Sequence, residues 1–163
     1  MIDNGTPSLL DFTFNGWGLK FASDLDNRIT RHAVEAEVLK GHYVNRLGFV
    51  LEGGSIESDG MGTLLTTSEC LLSPNRNGQK NKVEIEEYLK SVFQVRQILW
   101  LDDGYLAGDD TDSHIDTLAR FCPADTIVYV QCEDETDEHY EALQAMEEQL
   151  HSFRTLNLSL IHI

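Results

Sequence analysis

Apolar residues follow two spacings along the chain, one typical of strands and one typical of helices. Short β-rich runs predict strands, whereas apolar residues that recur every three or four positions predict amphipathic helices. The predicted strands cover residues 9–14, 49–51, 63–67, 96–101, 115–121 and 126–130. The predicted helices cover residues 26–40, 83–93 and 136–153. This alternation of strands and helices indicates an α/β fold.

Polar and glycine-bearing segments separate these elements. Turns or loops are predicted at residues 15–18, 59–62, 73–81 and 102–113. The apolar ending at residues 156–163 has no partner element in this pattern. We interpret it as a non-native or truncated tail, with a native C-terminal strand as the alternative. Residues 1–155 are therefore expected to form the folded part of the chain.

Acidic residues dominate the charge. The 28 Asp and Glu residues outweigh the 12 Lys and Arg residues and give a formal net charge of −16. This charge repels phosphate backbones and anionic membranes, so neither nucleic acid nor a membrane is an expected partner. It favours a cationic ligand only weakly, because a solvated acidic surface is ordinary in cytosolic proteins.

The three cysteines, Cys70, Cys122 and Cys132, stand alone in the sequence without a CxxC pair. This pattern argues against both a disulfide framework and a zinc knuckle. No apolar run reaches the roughly 20 residues that cross a bilayer, and residues 1–7 lack the features of a signal peptide. We therefore expect a cytoplasmic protein.

A carboxylate precedes two glycines where a predicted strand ends. Gly53 and Gly54 can adopt backbone angles that other residues avoid, so the main chain can pass close to a ligand while Glu52 projects from the strand end. Taken alone, the pattern also fits a tight turn with a solvated glutamate.

A histidine and an aspartate stand two positions apart at the start of the strand predicted at 115–121. Alternate residues of a strand share a face, so His114 and Asp116 are expected to point the same way, as a proton carrier beside a cation-binding carboxylate. The alternatives are a loop histidine with a solvated aspartate, or a metal site that adds Asp109 and Asp112. Because the cluster has only one histidine, we predict no metal.

Four motifs occur in order along the chain. They are NGWGLKF at residues 15–21, LEGGSI at 51–56, TTSECLLSPNRN at 66–77 and GDDTDSHID at 108–116. Together they resemble the agmatine deiminase family, also called the bacterial-type peptidyl-arginine deiminases. The resemblance covers residues 9–154 and makes residues 1–155 part of a deiminase catalytic domain.

The resemblance implies a five-bladed α/β propeller of about twice this length, of which the chain would supply two to three blades. It also implies a reaction without a cofactor. A cysteine thiolate attacks the guanidinium carbon of agmatine, ammonia leaves, and water releases N-carbamoylputrescine. An incomplete ring would leave apolar surface bare on the strand at 9–14 and on the last helix, which would favour self-association into a homo-oligomer.

The family's residue roles transfer to three positions. Glu52 and Asp116 match its guanidinium-binding carboxylates, and His114 matches its general acid and base. The catalytic cysteine and a further aspartate belong to motifs that this sequence does not contain, so the chain alone is expected to be inactive, and Cys70 is interpreted as structural. Ser113 replaces the glycine more usual before the histidine. The motifs leave open a peptidyl-arginine or free arginine substrate, and a guanidinium-binding module without catalysis.

Overall fold

The computed structural model describes residues 2–3, 5–123 and 125–163 and has a mixed α/β fold. Its strands are β1 (Ile2–Asp3), β2 (Thr6–Thr13), β3 (His42–Val50), β4 (Ile56–Ser58), β5 (Thr63–Thr67), β6 (Gln97–Leu101), β7 (Ala119–Cys122) and β8 (Thr126–Tyr129). Its helices are α1 (Gly16–Leu19), α2 (Ile29–Glu35), α3 (Ser68–Leu71), α4 (Pro74–Asn77), α5 (Lys82–Phe93), α6 (Ile115–Leu118) and α7 (Tyr140–Ser152). Two 3₁₀ turns lie at Asp26–Arg28 and Gly53–Ser55.

Two parallel strand pairs organise the larger sheets. β2 pairs with β3, with a register shift that places Thr13 opposite Val50, and β5 pairs with β6. Parallel strands need a crossover connection, which α2 contributes to the first pair and α5 to the second. Antiparallel pairing adds β1 to β2 and β4 to β5, while β7 and β8 form a separate pair. Within the described residues the sheets remain separate and none of them closes on itself.

The central strand β5 is buried on both faces. Successive strand residues point to opposite sides, so Leu64 packs into a cluster with Ile85 of α5, whereas Leu65 packs into a cluster with Met146 of α7. Burying each such side chain stabilises the fold by about 1.5–3 kcal/mol. The two clusters pack around the ends of β3, β5 and β6, and the residue that follows Leu51 after β3 belongs to the site described below.

The helix predicted at residues 26–40 is shorter than expected. A 3₁₀ turn precedes α2, which ends at Glu35, and Glu37 has a left-handed φ of 57°. Val38 and Leu39 are exposed, so tertiary packing does not stabilise a continuation of the helix through these residues. The last part of that prediction was therefore wrong.

Two further predictions needed correction. The strand predicted at residues 115–121 starts only at Ala119, because His114 accepts hydrogen bonds from the backbone and hydroxyl of Thr117 and α6 forms first. The loop at 73–81 contains α4, which the hydroxyl of Ser73 caps by accepting from Asn75. By contrast, the helix predicted at 83–93 is confirmed, and Asn81 and Glu84 close it with a reciprocal capping box.

The apolar face of α7 is not bare. Leu143, Met146 and Leu150 are each at most 2% exposed, so the expectation that this face lacks a partner was wrong. Exposed apolar side chains lie instead at Leu19 and Phe21, among others. No described helix combines the length and apolar character needed to cross a bilayer.

The C-terminal residues fold back onto β8. The amide of Ile127 donates to the carbonyl of His162 at 2.7 Å, and Ile161 is 9% exposed within one of the core clusters. The interpretation of residues 156–163 as non-native stays a prediction.

Candidate functional site

Glu52 lies at the end of β3 in a buried position. Its backbone is still extended, and its carbonyl accepts hydrogen bonds from the amide and the hydroxyl of Ser55, which closes the 3₁₀ turn Gly53–Ser55. The Glu52 residue is 5% exposed. The turn predicted at the two glycines is therefore present, but the glutamate is not solvated.

One oxygen of Glu52 carries two hydrogen bonds and the other carries none. Oε2 lies 2.5 Å from Nε2 of His114 and accepts from Nη2 of Arg76 at 2.8 Å. Oε1 has no hydrogen-bond partner among the described residues. A buried carboxylate oxygen without a donor is costly, so Oε1 is suited to a ligand that brings N–H groups.

The loop before His114 has a strained backbone. Asp112 and Ser113 have φ values of 58° and 60°, in the left-handed region. The carboxylate of Asp109 holds the loop by accepting from the amide and hydroxyl of Thr111 and from the amide of Ser113. Burial raises the pKa of Asp109, but these hydrogen bonds outweigh it and leave the pKa lowered, so Asp109 stays ionised. A left-handed position explains why glycine suits the residue before the histidine.

Because Gly54 has no side chain, His114 and Asp116 can lie close to the segment that carries Glu52. A Cβ on Gly54 would lie 2.6 Å from Nδ1 of His114 and 2.6 Å from Oδ2 of Asp116. The two side chains share this location although they do not alternate along a strand, since His114 precedes α6 and Asp116 lies within it. The structure thus brings together all three residues singled out from the sequence, by a geometry different from the predicted one.

The glycine turn at α1 supports the same loop. Lys20 binds the carboxylate of Asp112 at 2.5 Å and the carbonyl of Asp110 at 2.9 Å. The side-chain amide of Asn15 donates to the carbonyl of Asn75, and a Cβ on Gly18 would lie 3.0 Å from Asp112. The four motifs found in the sequence therefore meet around one site.

Glu52 is ionised in this environment. Burial raises its pKa, but the hydrogen bonds from His114 and Arg76 and the positive charge of Arg76 outweigh that effect and leave the pKa lowered. An ionised carboxylate only accepts, so the proton of the neutral imidazole resides on Nε2 of His114. Nδ1, beside Asp116, is then the nitrogen that can take up a proton.

Arg76 was missed by sequence reasoning. Its side chain is 1% exposed and pairs with Glu52, whose side chain is 3% exposed. The available signal was its place within the PNRN segment at 74–77, which carried the family resemblance but no assigned role. A buried arginine needs a carboxylate partner, because an uncompensated buried charge is strongly destabilising.

The chain also matches a known protein family. A family model described as Porphyromonas-type peptidyl-arginine deiminase matches residues 2–163. The chain belongs to this family. The resemblance read from the four motifs is thereby confirmed.

Three relatives of the chain are named agmatine deiminases. The agmatine deiminase of Stutzerimonas stutzeri is 39% identical over 148 residues, which cover 88% of this chain and 39% of that protein. A C. jejuni agmatine deiminase variant with cysteine replaced by serine and substrate bound is 50% identical, with a TM-score of 0.84 over 90% of this chain and 44% of its own. The agmatine deiminase of Enterococcus faecalis is 35% identical, with a TM-score of 0.84 over 94% of this chain and 42% of its own. The chain thus spans less than half the length of these relatives.

Among the described residues, Cys70 is the cysteine that lies near Glu52 and His114. Donor atoms of Cys70, Glu52 and His114 lie within 4.8 Å of one another, a spacing that a metal could use. Burial raises the pKa of the Cys70 thiol to about 12 and outweighs the positive charge of Arg76, which acts in the opposite direction. A thiol that stays protonated is a poor metal ligand and a poor nucleophile.

The two aspartates that the sequence suggested as further metal ligands already have other partners in the structure. Asp109 is occupied by Thr111 and Ser113, and Asp112 is paired with Lys20. The arrangement around Glu52 therefore fits an organic cation with several N–H donors better than a metal ion.

Proposed function

We propose that this chain carries the guanidinium-binding and proton-transfer residues of an agmatine deiminase, which converts agmatine to N-carbamoylputrescine and ammonia in putrescine biosynthesis. One observation carries the proposal: the unpartnered, buried Oε1 of Glu52 lies beside an imidazole and near a second carboxylate. A planar guanidinium presents N–H donors in pairs that suit carboxylates on two sides. The relatives named agmatine deiminase support the choice of substrate.

The three residues have distinct roles in this proposal. Glu52 accepts N–H groups of the guanidinium through Oε1, and Asp116 accepts from its other side. His114, protonated at Nδ1, delivers this proton to the departing ammonia and then regains a proton from the hydrolytic water. Glu52 keeps His114 oriented through the 2.5 Å contact at Nε2.

The nucleophile of the whole protein is a cysteine thiolate from a motif outside this sequence. It attacks the guanidinium carbon, ammonia leaves, and water then hydrolyses the thiouronium intermediate. Cys70 does not replace it, because a thiol with a pKa of about 12 provides almost no thiolate near neutrality. The chain alone is expected to produce no colour in a carbamoyl-group assay with agmatine.

The whole protein is proposed to be a five-bladed α/β propeller. The chain would supply two to three of its blades, with residues 1–155 as part of the catalytic domain. This proposal rests on family membership and on the partial coverage of the solved relatives. The three free cysteines fit a cytoplasmic, reducing location, and the exposed apolar side chains fit association of the chain with itself.

Calorimetric titration of the chain with a panel of ligands tests the binding step. Agmatine is expected to bind, whereas putrescine, which has an ammonium in place of the guanidinium, is not. Glu52→Gln should abolish binding, and Glu87→Gln, which changes an exposed glutamate of α5, should not. Tighter binding of an arginine-containing peptide than of agmatine would redirect the proposal to peptidyl-arginine. Agmatine binding without turnover, even when the full gene product is assayed, would indicate a guanidinium-binding module.

A further inference from the structure

Arg76 is held in place by acceptors from three segments. Its Nη2 donates to Oε2 of Glu52 at 2.8 Å and to the carbonyl of Thr111 at 2.7 Å, and its Nη1 lies 3.4 Å from the carbonyl of Cys70. The guanidinium therefore links the end of β3, the end of α3 and the loop that precedes His114. Its side chain is 1% exposed, so it does not exchange with solvent as a surface arginine does.

The location of Arg76 matters because Glu52 has two tasks. The carboxylate must orient His114 and must also leave an oxygen for a ligand. Without a fixed partner, a buried glutamate beside an imidazole can rotate and offer both oxygens to it, or take up a proton. With Arg76 and His114 both on Oε2, rotation would break two hydrogen bonds, and Oε1 stays unpartnered.

The charge of Arg76 is permanent. A guanidinium remains protonated throughout the range in which proteins fold, unlike the neighbouring imidazole. Arg76 therefore compensates the Glu52 anion whether or not His114 carries a proton. During a reaction in which His114 gains and loses protons, the carboxylate would keep one charge state.

We propose that Arg76 is a positioning residue that fixes the Glu52 carboxylate with Oε2 toward His114 and Oε1 toward the incoming guanidinium, and that keeps this carboxylate ionised. This inference rests on the proposed function for the identity of the ligand. Arg76 itself contacts no substrate in this account. The guanidinium of Arg76 fixes the carboxylate that is proposed to bind the guanidinium of the substrate.

Two variants separate charge from geometry. Arg76→Met removes both the charge and the hydrogen bonds, whereas Arg76→Lys keeps the charge but cannot span Glu52 and Thr111 with one planar group. Arg31→Met is the matched control, because it breaks an exposed Arg–Glu pair of similar length, 2.7 Å, on α2. Circular dichroism establishes that each variant is folded.

The first readout is the titration of the Glu52 carboxyl carbon by NMR, assigned as the signal that disappears in Glu52→Gln. Arg76→Met should raise the pKa of Glu52 by about one to three units relative to the wild-type chain. In Arg76→Lys the pKa of Glu52 should stay close to that of the wild-type chain because the positive charge is kept, and Arg31→Met should leave the pKa of Glu52 unchanged. An unaltered Glu52 titration in folded Arg76→Met would overturn the inference.

The second readout is agmatine binding between pH 5 and pH 8. In Arg76→Met, protonation of Glu52 should weaken binding relative to wild type about tenfold per pH unit below the raised pKa. Arg76→Lys should bind more weakly than wild type by a factor that does not change with pH. A loss in Arg76→Met that is the same at every pH would indicate a merely structural role and contradict the inference.

The two readouts also separate this inference from the proposed function. If wild type does not bind agmatine but Arg76→Met still shifts the Glu52 titration, the proposed ligand is wrong and the positioning role stands. If Arg76→Met fails to fold, Arg76→Lys decides the question. Wild-type agmatine affinity together with an unchanged Glu52 signal in that variant would contradict the inference.

Discussion

The imidazole Nε2 of His114 lies 2.5 Å from Oε2 of Glu52, although 62 positions separate the two residues in the chain. The contact joins the residue that follows β3 to the residue that precedes α6. It leaves one carboxylate oxygen and one imidazole nitrogen directed away from the contact.

Gly54 should tolerate no side chain. In Gly54→Ala the new Cβ would lie 2.6 Å from both His114 Nδ1 and Asp116 Oδ2, so one of these groups must move. Agmatine binding should fall by at least about tenfold, which corresponds to about 1.4 kcal/mol. Gly53→Ala is the control, because nothing lies within 4 Å of its Cβ position. Equal affinities of the two variants in a calorimetric titration would show that the close approach at Gly54 has no functional importance.

Ser113 should be replaceable by glycine with a gain in stability. Its φ of 60° costs a residue with a Cβ about 1–2 kcal/mol, and glycine avoids that cost although it loses more backbone entropy on folding. We expect Ser113→Gly to raise Tm by about 2 °C in thermal unfolding. Ser91→Gly, in the interior of α5, should lower Tm instead. A decrease for both variants would mean that the Ser113 side chain contributes more than its backbone costs.

Cys70 should resist thiol reagents in the folded chain. Burial raises its pKa to about 12, so almost no thiolate exists at pH 8, and the residue is 0% exposed. Two thiols, Cys122 and Cys132, should react in the native state, and all three should react in denaturant. Mass spectrometry of the labelled peptides identifies each site. Labelling of native Cys70 as fast as that of Cys132 would contradict the structural role.

The stability of the chain should depend on Glu52 in acid. The folded-state pKa of Glu52 is lowered, so its contribution is complete above the unfolded value of about 4.3 and is lost as the pH falls through the folded value. Glu52→Gln should lower the free energy of unfolding at pH 7 by about 3 kcal/mol, because buried Arg76 loses its partner. Urea unfolding from pH 7 to pH 2.5 should show a shallower acid decrease in the variant. Parallel curves for the two proteins would show that Glu52 does not contribute to the pH dependence.

The sequence patterns correctly predicted the strands and helices whose apolar residues are buried in the structure. β5, β6 and α5 match their predictions closely, because their apolar residues pack against the two core clusters. The segment after Glu35 has a similar apolar spacing but no surface to bury it, so the helix ends there. Periodicity reports what could be buried, and only tertiary contacts decide whether it is buried.

The site was predictable in its residue types but not in its geometry. The four ordered motifs indicated Glu52, His114 and Asp116, yet the strand alternation proposed for the last two is replaced by α6. Arg76 had no signal of its own, since a surface arginine and a buried one look the same in sequence. Its importance appears only when β3, α3 and the His114 loop are seen around one guanidinium.

The most direct test of the account is the response of the Glu52 carboxyl carbon to agmatine in an NMR titration of the chain. If Oε1 accepts the guanidinium, the Glu52 signal should shift saturably with agmatine and remain unchanged with putrescine at equal concentration. The other assigned glutamates, such as exposed Glu87, provide the internal control. A saturable shift confined to Glu52 and its neighbours is the predicted result. No Glu52 shift at agmatine concentrations that perturb other residues would contradict the central claim.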